Sequence, residues 1–364
     1  MSVQRETINP TTVIAIGGVV LALICLVVSK HPAANAWTVT RPNGEDPAQD
    51  DAHGRLAMIP EEIPAPGLRD VFWRVMQELS QDRVAFIAAG VAFYLLLALF
   101  PALAALVSLY GLIADPAAVS DHMRDMAGVL PPGAFDILAD QLQQLVLRRE
   151  TTLGVAFFVG LAIAIWSTHN GTLAIFDAMN VAYEETEKRG FVRLNIVALA
   201  FTVCAMIAAI VTIGIVALLP AVLEFVWLDP WKETLALMVR WPLLLALVFS
   251  GMTAIYRFGP SRQPAKLRWL TWGAVLATAG WLLMAFAFSW YVETFADYNA
   301  AYGALSGLVG LFMWIWLSIC VLIVSAELNA ELEHQTAKDT TTGPARPLGT
   351  RGAHMADTIG RSVH

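Results

Sequence analysis

Three polar residues at helical spacing are the first candidates for chemistry in this sequence. Asn170, Asp177 and Asn180 are separated by seven and three positions, so a helix places them on one face. They follow an apolar run and lie in the stretch 166–183. Because a charge facing lipid is costly, such a face could line a water-filled substrate path. A solvated helix leaving the membrane has the same pattern, and both interpretations stay open.

Two more candidates lie in an earlier apolar run. Tyr94 lies near the middle of that run, and Pro101 follows two turns later. Proline removes a backbone hydrogen bond and kinks a membrane helix. The pair therefore predicts a bend that lines a cavity. The alternative is a packing kink in which the Tyr94 hydroxyl bonds to a neighbouring helix.

A predicted ion pair completes the set of candidate residues. Arg257 and Glu327 each lie at the end of an apolar segment, and the two ends belong to the same side of the membrane. Pairing them would neutralise two charges at the interface. The alternative is that each side chain reaches the aqueous phase independently.

The elements that position these residues are membrane-spanning helices. Of the 364 residues, 57% are hydrophobic and 15% are charged, against about 25% charged residues in soluble domains. An apolar helix of about 20 residues crosses the hydrocarbon core of a bilayer. The sequence predicts an all-α polytopic membrane protein, with one extra N-terminal apolar segment and a six-helix core. The core segments are about 84–114, 152–176, 194–220, 236–257, 269–292 and 303–327.

The chain divides into four predicted parts. Residues 1–30 hold the N-terminal apolar segment, in which 12–29 is either a retained transmembrane helix or a cleaved signal peptide. Residues 31–67 are rich in Pro, Asp, Asn and Gly, and predict a flexible linker. Residues 68–334 form the membrane domain, and 335–364 are predicted to be a disordered cytoplasmic tail.

Two amphipathic patterns lie inside the membrane domain. From 68 to 82, apolar residues recur at helical spacing, which predicts a helix lying on the membrane surface. The connection 115–151 is too long and too patterned for a simple loop. Its apolar spacing predicts two short amphipathic helices that cap the outer side of the bundle.

Signatures of hydrolytic or nucleotide-dependent enzymes are absent from the sequence. It contains no HExxH metal motif, no Walker-type glycine loop and no G-x-S-x-G elbow. The three cysteines all lie in apolar runs, where packing is their expected role. We therefore expect no metal site, no cofactor, no nucleic-acid partner and no catalytic activity.

The sequence resembles the YihY/BrkB family of bacterial inner-membrane proteins, sometimes labelled ribonuclease BN. The resemblance covers about 70–334, and it departs from the usual pattern at Trp316, where Tyr is common, and at Ser325, where Gly is usual. The shared pieces, in order, are Ala92-Phe93-Tyr94 with Phe100-Pro101, Asp177-Ala-Met-Asn180 with Ala182-Tyr183, Arg189-Gly190-Phe191, Tyr256-Arg257 with Gly259-Pro260, Tyr298-Asn299 with Tyr302-Gly303, and Ala326-Glu327-Leu328-Asn329-Ala330.

The resemblance implies a six-helix protein of the bacterial plasma membrane whose partners are membrane lipids. The leading hypothesis is a transporter of a small molecule, or a protein that handles or translocates envelope lipids, working through a cavity in the helix bundle. The second hypothesis is a non-catalytic membrane scaffold. The third is a membrane ribonuclease, for which the sequence offers no acid–base or metal cluster.

The distribution of Lys and Arg predicts the orientation of the core. Basic residues concentrate in the connections 183–193 and 258–268, whereas 224–233 is mainly acidic and 293–297 has no basic residue. By the positive-inside rule, both ends of the core face the cytoplasm.

Cysteine labelling of intact cells tests this orientation. Single cysteines placed in 224–233 or 293–297 should react with an impermeant thiol reagent from outside, because these connections face away from the cytoplasm. Cysteines placed in 258–268 should be protected until the membrane is permeabilised. The reverse labelling pattern would contradict the predicted topology.

Overall fold

The described part of the chain is an assembly of long helices. The structure is a computed structural model, and it describes residues 51–113, 153–215, 230–295 and 305–362. The predictions made for 12–29 and for 115–151 lie outside these residues. We number the helices in chain order as α1 Ala65–Gln81, α2 Val84–Ile113, α3 Leu153–Ala182, α4 Phe191–Ile213, α5 Pro230–Phe258, α6 Leu267–Phe295, α7 Ser306–His334 and the single turn α8 His354–Asp357.

Six of these helices, α2 to α7, are long and apolar enough to cross a membrane. This confirms the predicted all-α fold with a six-helix core. Helix α3 runs on to Ala182, so the polar stretch that follows its apolar part is helical, as its spacing predicted. Helix α2 continues through Pro101 to Ile113.

Helix α7 is the central element of the bundle. It packs against α1, α2, α3 and α6, while α2 packs along α3, and α5 packs along α6. The buried core lies in the halves of the helices that approach one end of the bundle, and many of its members are alanines. Small side chains let helices approach closely where lipid supplies no hydrophobic driving force between them.

We name this end of the bundle the polar end, which is formed by residues 183–190, 258–266 and 335–362. Hydrogen bonds tie these three segments together. The Lys188 backbone N–H donates to Ser261 Oγ at 2.8 Å, and the Lys266 N–H donates to the Thr340 carbonyl at 2.8 Å. The basic connections 183–190 and 258–266 therefore lie at one end, as the charge distribution requires.

The C-terminal residues depart from the sequence prediction, because the tail that begins at 335 is packed rather than disordered. Gln335, Thr336, Thr340 and Met355 are buried. The segment is rich in Thr, Gly, Pro and Arg, a composition that resembles disorder. It is held mainly by hydrogen bonds to backbone and charged groups, which composition alone does not reveal.

The predicted linker 31–67 is likewise folded over its described part, 51–67. Arg55 is buried and donates from Nη1 to the Gln335 carbonyl at 3.0 Å. Thr336 Oγ1 donates to the Ala57 carbonyl at 2.7 Å. This segment therefore forms part of the polar end rather than a free linker.

The predicted amphipathic helix exists as α1, but its apolar stripe is divided between two environments. Val75 is buried in a cluster with Trp269 and Leu332, so this side of α1 packs on protein. Leu68 and Phe72, by contrast, are exposed. Arg74 is buried against α7 as well, which places α1 on the bundle rather than only on the membrane surface.

The Arg351 guanidinium organises the C-terminal segment and offers a stability test. It donates to the carbonyls of Ala337 at 2.7 Å and Ala356 at 2.6 Å, among others.

Arg351→Ala leaves buried carbonyls without donors, which lowers the free energy of unfolding by about 1–3 kcal/mol for each unsatisfied group. We expect a clear loss of thermal stability in detergent, measured by tryptophan fluorescence. Arg346→Ala, at an exposed position nearby, is the control, and equal effects would contradict the role given to Arg351.

Candidate functional site

The polar face predicted on α3 is divided in the structure. Asn180 is buried, whereas Asp177 is exposed and Asn170 is partly buried. Asn180 Oδ1 accepts a hydrogen bond from the Ser261 N–H at 2.7 Å, and its Nδ2 donates to Glu187 at 3.1 Å. Asn180 thus fastens the end of α3 to the 258–266 connection, and the three residues do not share one environment.

Tyr94 and Pro101 lie on α2, which is packed along α3 as expected for neighbours in the chain. The Tyr94 side chain is 45% exposed and its ring lies edge-on to Phe93 at 5.8 Å between centroids. Neither residue lines the groove described below. The cavity shared by these residues and the α3 face therefore remains a prediction.

The predicted Arg257–Glu327 ion pair is not formed. Among the described residues, no ion pair within 4.0 Å joins these two side chains, and Arg257 Nε and Glu327 Oε1 are both buried without a hydrogen-bond partner. Glu327 instead lies within hydrogen-bond reach of Asp82. The ends of α5 and α7 do lie at the same end of the bundle, but Glu327 meets Asp82 and Arg257 lies beside the Phe258 ring of its own helix.

Arg257 lies in an open groove of about 360 Å³, which we name the Arg257 groove. The groove runs along the last turns of α5 and reaches the beginning of α6. The guanidinium carbon of Arg257 lies 5.6 Å from the centre of the Phe258 ring. The groove is lined by Phe249, Ser250, Thr253, Ala254, Arg257, Phe258 and Leu267.

The groove is mainly apolar, and its hydroxyl groups are already engaged as donors. Ser250 Oγ donates to the Ala246 carbonyl at 2.6 Å, and Thr253 Oγ1 donates to the Phe249 carbonyl at 2.8 Å. Both oxygens retain lone pairs, but their protons are directed into the helix. The groove therefore presents one cation among apolar walls and can bind an anion that carries an apolar chain.

Two ion pairs hold the polar end together. Arg262 and Glu333 are buried and pair at 2.6 Å, and the Arg262 guanidinium lies over the Tyr183 ring at 4.2 Å. Burial raises the pKa of Tyr183 well above its usual range, so its hydroxyl stays protonated. Arg74 pairs with Glu331.

Four acidic side chains lie between α1 and α7, and we name this group the carboxyl seam. Its members are Glu78, Asp82, Glu327 and Glu331. Burial and the neighbouring Glu331 raise the pKa of Glu78 to about 7. Burial also raises the pKa of Asp82. Sequence reasoning did not assign Glu78 or Asp82 a role. The sequence feature that could have identified them is their separation of four positions, which places both on one helical face. Glu327 and Glu331 have the same separation.

The described residues contain no group of three or more His, Cys, Asp or Glu side chains arranged to hold a metal ion.

Known proteins resemble this chain over most of its length. The sequence pattern described as virulence factor BrkB matches residues 75–348. The putative ribonuclease-like protein YfkH of Bacillus subtilis is 31% identical over 276 residues, which cover 73% of this chain and 94% of the relative. A UPF0761 membrane protein of Haemophilus influenzae is 24% identical over 268 residues, 72% of this chain and 94% of the relative. No solved structure matches the chain.

The Glu187 carboxylate gives the polar end a dependence on pH. Arg189 donates to both Glu187 oxygens, at 2.8 and 2.7 Å, and these hydrogen bonds lower the pKa of Glu187 to about 2. A carboxyl whose folded-state pKa is lowered stabilises the fold above its unfolded pKa of about 4.5. That stabilisation is lost as the pH falls toward 2.

We therefore expect Glu187→Gln to lower the unfolding temperature at neutral pH and to matter progressively less as the medium is acidified below about pH 4.5. Thermal unfolding in detergent across this pH range measures the difference. Glu62→Gln, at an exposed carboxylate, is the control. A Glu187→Gln deficit that stays constant at every pH would contradict the linkage.

Proposed function

Because this chain belongs to the virulence factor BrkB family of multi-pass membrane proteins, we propose that it handles envelope lipids and binds their phosphate groups at Arg257. The observation that carries this proposal is the position of Arg257, a cation that lines an open, mainly apolar groove at the end of a membrane span. In this proposal, the first hypothesis drawn from the sequence, transport or lipid translocation, is assigned to Arg257.

The position of Arg257 suits a lipid headgroup. It lies in the last turn of α5, where the apolar span Trp241–Phe258 ends. A guanidinium can donate two parallel hydrogen bonds to a phosphate, and these charge-assisted bonds are stronger than neutral ones. A phosphate bound in the groove would supply an acceptor to the Arg257 guanidinium.

The walls of the groove suit the part of a lipid next to its phosphate. Phe249, Ala254 and Leu267 offer apolar contacts beside the cation. At about 360 Å³ the groove lies near the lower limit of ordinary ligand pockets, roughly 300–1,000 Å³. It would therefore hold a headgroup and the beginning of the acyl chains, whose remainder stays in the bilayer.

The basic connections support placing the polar end in the cytoplasm of a bacterium whose inner membrane holds the protein. In this orientation the Arg257 groove opens at the cytoplasmic leaflet. A lipid bound there would be taken from that leaflet, and the direction of any translocation would be outward.

A non-catalytic scaffold is the second candidate function, and one observation favours it. Both polar ends of the Asn180 side chain are engaged in holding the polar end together. The candidate polar face of α3 therefore contributes to structure at this position. Nothing among the described residues favours the third hypothesis, a membrane ribonuclease.

Arg257→Gln tests the lipid proposal. Loss of a charge-assisted hydrogen bond, about 1.5–3 kcal/mol, should weaken phosphatidylglycerol binding by about tenfold or more. Native mass spectrometry of the detergent-solubilised protein measures binding, with phosphatidylcholine as the zwitterionic comparison. Proteoliposomes with a fluorescent phosphatidylglycerol measure translocation.

Arg268→Gln is the matched control, because Arg268 is an exposed basic residue at the same end of the next helix. Equal binding by the two variants would contradict a phosphate site at Arg257. Weakened binding together with unchanged translocation would leave a lipid-binding site and contradict its role in translocation. Absence of translocation by the unaltered protein would favour the scaffold.

A further inference from the structure

The carboxyl seam lies where α1 packs against the last turns of α7. The two helices run in opposite directions along it, because Arg74 pairs with Glu331 while Asp82, eight residues further along α1, meets Glu327. Asp82 lies at the end of α1, and Arg83 follows in the left-handed conformation with φ of 52° before α2 begins. The seam therefore joins α7 to the junction of α1 and α2.

Among the four carboxyl groups of the seam, Glu331 is the one that forms ion pairs with basic side chains. Glu331 pairs with Arg74 and lies 3.6 Å from His334. Glu184, beyond the end of α3, pairs with His354 at 2.9 Å. The titratable groups that interact with the Asp82–Glu327 pair are Glu78 on α1, Glu331 on α7, Glu184 after α3 and the buried Tyr183. Helix α2 carries no charged residue.

The Asp82–Glu327 contact itself requires a proton. Two carboxyl groups within hydrogen-bond reach cannot both be ionised, since each ionised oxygen only accepts and the like charges repel. Glu327 is 1% exposed, and its Oε1 has no hydrogen-bond partner. No ion pair within 4.0 Å involves either residue among those described. A buried carboxylate without a cation is costly, whereas a protonated one can donate to its neighbour.

We propose that Asp82 and Glu327 form a proton-binding site, in which one shared proton holds the end of α1 and the start of α2 against α7. With the proton in place, one carboxyl group donates to the other and the contact is attractive. Once the proton leaves for solvent, two carboxylates remain in contact and repel each other. The junction of α1 and α2 is then released from α7, so that the ligand of this site controls the packing of a spanning helix.

The neighbouring groups set the direction of this response. Burial raises the pKa of Asp82, and burial with Glu331 raises the pKa of Glu78 to about 7. An acid whose folded-state pKa is raised favours the fold below that pKa, and the contribution is lost as the pH rises through it. Alkaline conditions should therefore loosen the seam. The inference is independent of the proposed lipid function, because Arg257 takes no part in it.

Infrared spectroscopy of the full-length protein in nanodiscs tests the proposal directly. At about neutral pH the unaltered protein should show a protonated carboxyl band in the region of buried acids, which shifts in heavy water and declines as the pH is raised by roughly two units. Glu327→Gln should reduce that band to the contribution of Glu78, whose pKa of about 7 leaves it partly protonated at neutral pH. Asp82→Asn should shift the frequency of the Glu327 band, because the hydrogen-bond partner of the Glu327 carboxyl changes. Glu62→Gln, at an exposed carboxylate that accepts from the Met58 N–H, should leave it unchanged.

A second measurement separates proton binding from a purely structural role. Gln at position 327 can still donate to Asp82, so Glu327→Gln mimics the protonated state. We expect its unfolding temperature to fall less steeply between about pH 6 and pH 9 than that of the unaltered protein or of Glu62→Gln.

Absence of the band in the unaltered protein, or an undiminished band in Glu327→Gln, would overturn the proposal. An equal alkaline loss of stability in Glu327→Gln and in the unaltered protein would overturn it as well. If one variant fails to accumulate, the unaltered protein's band and the other variant still decide the question.

Discussion

The buried ion pair between Arg262 and Glu333 is the interaction on which the polar end depends. Arg262 belongs to the connection between α5 and α6, and Glu333 lies in the last turn of α7. Tyr183, at the end of α3, lies against the guanidinium, and Thr340 of the C-terminal segment donates to Glu333 at 2.9 Å. Four parts of the chain therefore meet at one pair. Removal of either charge would leave the other buried and unpaired, at a cost of about 3–5 kcal/mol.

The need to pair buried charges also identifies the charged groups that lack a partner of opposite charge. In and beside a bilayer, a charge must find a partner, and most charged groups of the polar end have one. Among the described residues, Arg257 and the Asp82–Glu327 contact depart from this pattern. Arg257 has surplus positive charge beside an open apolar groove, which suits an anionic amphiphile. Asp82 and Glu327 bring two carboxyl groups together where Glu327 is buried and Asp82 is partly buried, which suits a proton. The open groove at Arg257 therefore suits a lipid, whereas the buried contact between Asp82 and Glu327 suits a proton.

Sequence reasoning was most successful where the physical signal is local. Hydropathy measures how each segment partitions into lipid, so the six spans were found. The limits were less exact, since the polar last turns of α3 and α7 extend to Ala182 and His334, beyond the predicted ends at 176 and 327. The spacing of Asn170, Asp177 and Asn180 correctly implied a continuous helix in α3. It could not show that Asn180 alone turns inward to the 258–266 connection, because that contact joins residues eighty-one positions apart.

Fold class, the number of core spans and the grouping of the basic connections can all be derived from the order of the residues, since each follows from the polarity of consecutive residues. Tertiary structure decided which charges are partners. Several acidic and basic residues lie at the same end, and helix rotation and packing select Arg262 for Glu333, Arg74 for Glu331 and Asp82 for Glu327. It also decided that the C-terminal segment is ordered, because its order comes from hydrogen bonds to distant groups rather than from an apolar pattern of its own.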